Sequence, residues 1–135
     1  MPSSLRLLVL LIVASAAAAV ASIVTLKLEN RDQGRMVAEQ ITGGSVAAGK
    51  LAYRRYGCGG CHALNSVTGV NGEVGPSLAK IATRSEIAGH FANTPQNMVQ
   101  WLQHPQQMLP GNGMPDMNVT DRDARDIAAY LYTNR

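Results

Sequence analysis

An all-α domain behind an N-terminal membrane-crossing helix is the fold class the sequence predicts, and three observations predict it. The first is a charge-free run from Leu7 to Leu26. The second is a series of helix caps and breakers after residue 44 that marks three or four helices and no convincing strand. The third is Cys58-Gly59-Gly60-Cys61-His62, two thiols three residues apart followed at once by an imidazole.

As a helix, the twenty residues Leu7 to Leu26 span about 30 Å, the thickness of a bilayer core. Residues 1–28 are therefore expected to be a membrane anchor. Arg6 and the amino terminus in front of the run favour a cytoplasmic N-terminus, although Lys27, Arg31 and Arg35 behind it weaken the asymmetry. A cleaved signal peptide is the alternative, since Ala19-Val20-Ala21 before Ser22 has the small residues of a cleavage site. The apolar run continues past that site through Ile23, Val24 and Leu26, beyond the roughly 7–15 residues usual for a signal, and this favours retention. Residues 29–44 read as a polar linker ending in Gly43-Gly44, with a reach of about 20–24 Å as flexible chain, or in part as an extension of the anchor helix.

Residues 45–135 form the folded domain. Ser45 is placed to cap a helix running through Gly49 to Tyr56 and stopped by Gly57. Thr94-Pro95 is an N-cap with proline at the first helical position, opening a helix that Pro105 ends. Thr120 with Asp123 three residues later resembles a capping box, and the helix it opens carries Ile127, Ala128 and Leu131 on one face. Gly69 to Pro76 and Pro110 to Pro115 are loops. The domain holds one Phe and one Trp, too few large apolar side chains for a good core unaided, so a bound apolar cofactor is expected to complete it. Eight Lys and Arg stand against six Asp and Glu in this region. That balance lacks the dense basic stripe of a nucleic-acid binder and gives little long-range steering toward a charged partner.

The cysteine motif identifies the cofactor. On one helical turn, residues at i and i+3 share a face, so both thiols can reach the vinyl groups on one edge of a porphyrin with His62 beneath the iron; this is the attachment pattern of a c-type haem. A thioredoxin-like site would need a βαβ surround, a structural zinc site four ligands, and a disulfide across so short a loop would be strained. No third cysteine exists, and His90 and His104 stand far off. The loop Leu109-Pro110-Gly111-Asn112-Gly113-Met114-Pro115 offers a thioether, a soft ligand for low-spin iron.

With these residues in view, residues 45–135 resemble the class I cytochromes c. Gly49 and Tyr53 match the family's small and aromatic residues on its first helix, with Tyr130 and Leu131 on the last helix facing them. Gly75-Pro76-Ser77-Leu78 resembles the family's Gly-Pro-x-Leu, which implies that the Pro76 carbonyl accepts the Nδ1 proton of His62. Arg84 falls where the family places an arginine near a haem propionate. Trp101-Leu102 stands at the family spacing before Met114. Asn93 to Met98 and Asp123 to Tyr132 are similar to the cytochrome domain fused to some haem–copper oxidase subunits II and to its stand-alone membrane-anchored relatives. The lysines that ring the haem edge of mitochondrial cytochrome c are largely absent.

The resemblance implies a small class I cytochrome c fold of three to four helices around one covalent haem c, preceded by a transmembrane helix. Cys58 and Cys61 would carry the haem. His62 and Met114 would be its axial iron ligands. Pro76, Leu78, Arg84, Trp101 and Leu102 would contact it. Met108 and Met117 are better read as loop or core residues, and His104 as exposed. The implied function is a monohaem electron carrier rather than an enzyme, held in the bacterial inner membrane with its haem domain periplasmic. It would pass single electrons between respiratory donor and acceptor complexes, most naturally to a terminal oxidase. The alternative is the electron-transfer subunit of a periplasmic dehydrogenase. A peroxidase or a haem-based gas sensor would need an open iron site, which two protein ligands deny.

Overall fold

The computed structural model describes residues 2–64 and 72–135, and the chain divides into two compact units, Met1–Gly34 and Arg35–Arg135. Helix α1 is Ser3–Thr42. It is the one helix among the described residues long and apolar enough to cross a membrane. Its Leu, Ile and Val side chains from Leu7 to Leu28 are exposed, as lipid-facing residues of a lone spanning helix would be.

The second unit begins inside α1. Of the two expectations for residues 29–44, flexible linker or partial extension of the anchor helix, the structure shows the second: they are helical as far as Thr42, with Ala38 and Thr42, four residues apart on one face, buried in the domain. Gly43 ends the helix at φ 68°, a left-handed conformation that favours glycine. Side chains then tie this end down. The Glu39 carboxylate accepts the Val46 N–H at 2.9 Å, the Asp126 carboxylate accepts the Ser45 N–H at 2.7 Å, and Arg125 reaches the Thr42 carbonyl. Two residues buried out of sixteen leave the segment looking polar in sequence.

Helix α2, Val46–Arg55, is capped by Ser45 as expected. It crosses helix α5, Asp121–Tyr132, at a distance set by glycine. A Cβ on Gly49 would overlap the Asp126 carbonyl, and one on Gly44 the Arg125 carbonyl, so the two backbones meet directly. Beside this crossing the Tyr53 and Tyr130 rings pack edge to face with centroids 5.8 Å apart.

At α5 the Thr120 hydroxyl accepts the Asp123 N–H at 3.2 Å and donates to the Asp123 carboxylate at 2.9 Å. That carboxylate also accepts the Tyr56 hydroxyl at 2.8 Å and pairs with Arg55 at 2.7 Å. The acid expected to close a capping box instead fastens α5 to the end of α2. The Tyr56 hydroxyl foremost, with Thr120 and Arg55, holds the Asp123 carboxyl below its ordinary range.

Helix α3, Pro95–Gln103, starts at the Thr94 cap and packs against α5. Pro105 ends α3 and opens the short helix α4, Pro105–Met108. Strands β1 (Glu86–Ile87) and β2 (Phe91–Ala92) form an antiparallel ladder that the sequence did not announce. Each strand is two residues long, and the turn between them has Ala88 at φ 53° and Gly89 at φ 70°, so alanine occupies a position where Asn or Asp would have signalled the hairpin. The loop expected from Gly69 to Pro76 lies in part outside the described residues.

Candidate haem-binding site

The cysteine motif begins where α2 stops. Gly57, at φ 67°, turns the chain into a 3-10 turn, Cys58–Gly60. The Cys58 carbonyl then accepts the N–H groups of Cys61 at 3.2 Å and of His62 at 3.0 Å. This winds both thiols and the imidazole around one point.

His62 is fixed on three sides. Its Nδ1 lies 2.7 Å from the Pro76 carbonyl; a carbonyl can only accept, so Nδ1 carries a proton, and Nε2 is the ring nitrogen left to act as a ligand. The His62 carbonyl accepts the Tyr53 hydroxyl at 3.1 Å. A Cβ on Gly75 would overlap the imidazole ring, and one on Gly72 the Cys61 backbone, so residues 72–76 lie against the motif as only glycine allows. The Gly75 N–H to Cys61 carbonyl bond, 2.8 Å, and the Leu78 N–H to Ala63 carbonyl bond, 2.8 Å, hold the two segments together.

The methionine segment reaches the same cavity from the other end of the domain sequence. Met114 is half-buried, and both of its backbone polar groups are bonded. Its N–H donates to the Asn112 side-chain oxygen at 2.7 Å, and its carbonyl accepts from the Gln106 side chain at 2.7 Å.

The cavity between these segments has a volume of about 480 Å³, within the roughly 300–1,000 Å³ of small-molecule and cofactor sites. Met98, Trp101 and Leu102 of α3, Ile127 and Leu131 of α5, and Ile87 of β1 form apolar walls. Phe91 of β2 backs Trp101 with ring centroids 6.0 Å apart. Arg84 and Glu86 are the charged residues at the cavity among those described, and the Arg84 guanidinium donates to the backbone carbonyls of Ser77 and Ala79.

Every residue expected to hold the cofactor lines this cavity: Cys58, Cys61, His62 and Met114, together with Pro76, Leu78, Arg84, Trp101 and Leu102. His104, Met108 and Met117 do not line it. The donor set suits a covalent haem. Two thiols on one turn line an apolar slot, and an imidazole and a thioether, both donors that haem iron accepts, line it with them.

The Cys58 thiol does not suit redox exchange. Burial pushes the Cys58 thiol up to about 11, opposite to the lowered value of a nucleophilic cysteine. Among the described residues no three His, Cys, Asp or Glu side chains gather as a metal cluster. Of the cations on α2, Lys50 and Arg54 are exposed and Arg55 is paired with Asp123.

The structure also brings in residues the sequence did not single out. Ile87, Ala88 and Gly89 form one wall, and the hairpin that carries them left no pattern to read. Gln106 and Asn112 hold the methionine loop; Asn112-Gly113 is a turn signal, whereas nothing in the sequence marks Gln106.

Comparison with known proteins gives the geometry its family. The cytochrome c family profile matches residues 46–135. The chain is 35% identical over 86 residues to cytochrome c oxidase subunit 2 of Alkalihalophilus pseudofirmus, covering 62% of this chain and 24% of that protein. It is 34% identical over 78 residues to cytochrome c oxidase subunit 2 of Bacillus sp. strain PS3, covering 55% and 22%. It is also 31% identical over 106 residues to cytochrome c2 of Agrobacterium tumefaciens, covering 65% of this chain and 90% of that one. The chain thus spans less than a quarter of the length of the two oxidase subunits but nearly all of the small cytochrome. No solved structure gives a significant match. The chain belongs to the cytochrome c family, as a monohaem class I c-type cytochrome that binds haem c covalently and carries electrons.

Proposed function

We propose that this cytochrome is anchored in the bacterial inner membrane by residues 1–28, presents its haem domain to the periplasm, and carries single electrons between respiratory complexes, delivering them to a terminal oxidase. The observation that carries this reading is the meeting of His62 and Met114 in one apolar cavity with Cys58 and Cys61. The haem supplies a one-electron ferric/ferrous couple when bound. The remaining chemistry belongs to the chain.

Cys58 and Cys61 would hold the porphyrin through thioether bonds, and His62 would offer Nε2 to the iron. The Pro76 carbonyl accepts from Nδ1 and so fixes the orientation of the His62 ring. Met114, lining the same cavity, would supply the second iron ligand, which would leave no vacancy for a peroxide or a gas and would suit electron transfer rather than catalysis. The apolar walls and a thioether ligand would both favour the neutral ferrous state. Arg84 lies at the cavity, where it can receive a propionate.

The membrane assignment is supported by the length and apolar character of α1. The oxidase assignment is supported by the likeness to two oxidase subunits. A domain with little net charge gains little from electrostatic steering. Attachment to the membrane instead raises its effective concentration at a neighbouring partner, to the order of millimolar for short tethers.

Met114→Ala should abolish the weak red-region sulfur-to-ferric charge-transfer band and let cyanide bind readily; survival of the band would remove Met114 as a ligand. Co-purification from membranes in mild detergent should recover oxidase subunits. Recovery of a periplasmic dehydrogenase would replace the oxidase as partner. An intact mass that begins at Ser22 would make the protein a soluble carrier.

A further inference from the structure

We propose that Gln106 and Asn112 are positioning residues for the axial methionine, two side-chain amides that clamp the Met114 backbone so that its thioether stays on the iron. The proposal rests on the reading of Met114 as the sixth ligand. Gln106 sits on α4. Its Nε2 donates to the Asn112 carbonyl at 2.9 Å and to the Met114 carbonyl at 2.7 Å, and its Oε1 accepts the Gly111 N–H at 3.2 Å. Asn112 Nδ2 donates to the carbonyls of Pro105 at 2.8 Å and Leu109 at 2.7 Å, while its Oδ1 accepts the Met114 N–H at 2.7 Å. Each amide thus uses both ends.

A clamp is what this loop needs. Methionine is unbranched, with three rotatable bonds, so the sulfur can be aimed only if the Met114 Cα is held still. The flanking residues Gly111 and Gly113 contribute no stiffness; Gly111 lies at φ 79°, and a Cβ on either would meet nothing within 4 Å. Pro115 restricts Met114 from one side alone. Gln106 is not among the residues lining the cavity, so its effect on the iron must pass through the loop.

The test uses the full-length haem-loaded protein with Gln106→Leu, Gln106→Glu and Asn112→Ala. The ferric sulfur charge-transfer band is followed against pH, with the cyanide association rate and the denaturant midpoint measured in parallel. The clamp variants should lose the band at a pH lower by about one unit and bind cyanide on the order of tenfold faster, in keeping with the loss of two or three hydrogen bonds. Gln106→Glu keeps the acceptor for Gly111 but removes both donors, and should regain part of the band as its carboxyl protonates. A merely structural role would not produce that recovery.

Asn97→Ala deletes an amide that donates to the Ala92 carbonyl at 2.9 Å, away from the loop, and should leave band and cyanide rate as in the wild type. Wild-type values in Gln106→Leu and Gln106→Glu, alongside loss of the band in Met114→Ala, would overturn the clamp while leaving Met114 as ligand. A band that survives Met114→Ala would overturn both. Should Gln106→Leu fail to mature, Gln106→Glu and Asn112→Ala decide the question.

Discussion

The histidine and methionine segments reach the same cavity, yet they are built differently. On the histidine side the main chain does the holding. The Cys58 carbonyl gathers the motif, the Pro76 carbonyl fixes the imidazole, and Gly72 and Gly75 let a second strand of backbone lie against it. On the methionine side two side-chain amides bind an otherwise loose, glycine-rich loop. Main-chain support fails when a Cβ intrudes. Side-chain support fails when a single functional group is removed.

The largest expected effect breaks the comparison on its rigid side. Gly75→Ala puts a Cβ into the His62 ring and should lower the yield of haem-bearing protein and destabilise what matures by about 3 kcal/mol, read from haem stain and denaturant midpoint. The same change at Gly113, where a Cβ meets nothing within 4 Å, should alter stability by less than about 1 kcal/mol. Equal effects at the two glycines would erase the distinction.

Next in size is the support beneath α2, which leads into the cysteine motif. A haem-bearing chain begun at Ser45 loses the buried Ala38 and Thr42 and the Glu39 cap on Val46. It should be about 2–3 kcal/mol less stable than one begun at Arg35, by comparison of denaturant midpoints. Identical midpoints would show that the end of α1 lends the domain nothing.

Tyr53→Phe should be milder, at about 1 kcal/mol. It deletes only the donor to the His62 carbonyl, while the ring keeps its place against Tyr130. A change of several kcal/mol would mean that the hydroxyl, rather than the backbone, organises the histidine side.

The smallest effect concerns pH. The Asp123 carboxyl is held below its ordinary range, first by the Tyr56 hydroxyl, so it favours the folded state above its unfolded pKa of about 3.9. That contribution is lost as pH falls through the lowered folded value. Asp123→Asn should therefore differ from the wild type most near neutrality, and the two melting temperatures should converge in acid. A gap that widens in acid would reverse the sign.

The histidine side was the more legible of the two in sequence for a physical reason. Cys58, Cys61 and His62 act through local spacing, and Gly75-Pro76 through backbone groups that the residue types announce. The helix starts at Ser45, Thr94 and Thr120 were visible because each cap satisfies donors within its own first turn. Gln106 was hidden because an amide can serve any carbonyl that tertiary structure brings within reach. The extension of the anchor helix was open to the sequence, but its packing on the domain was hidden because the buried face is two small residues wide, and the hairpin was hidden because its turn uses alanine. Asp123 showed as a local cap, yet its carboxylate works mainly across the seam to Tyr56 and Arg55.

The close backbone contact of α2 with α5 sets the order in which the domain can assemble. Gly44 and Gly49 meet carbonyls of residues 125 and 126, so the first helix of the haem domain finds its partner only when the last is available. Such a non-local closure must meet its loop entropy before any contact rewards it. During synthesis the α2–α5 contact therefore waits until α5 has left the ribosome. A domain closed by its first and last helices keeps the segment between them, cysteine motif included, open to outside reagents until α5 arrives.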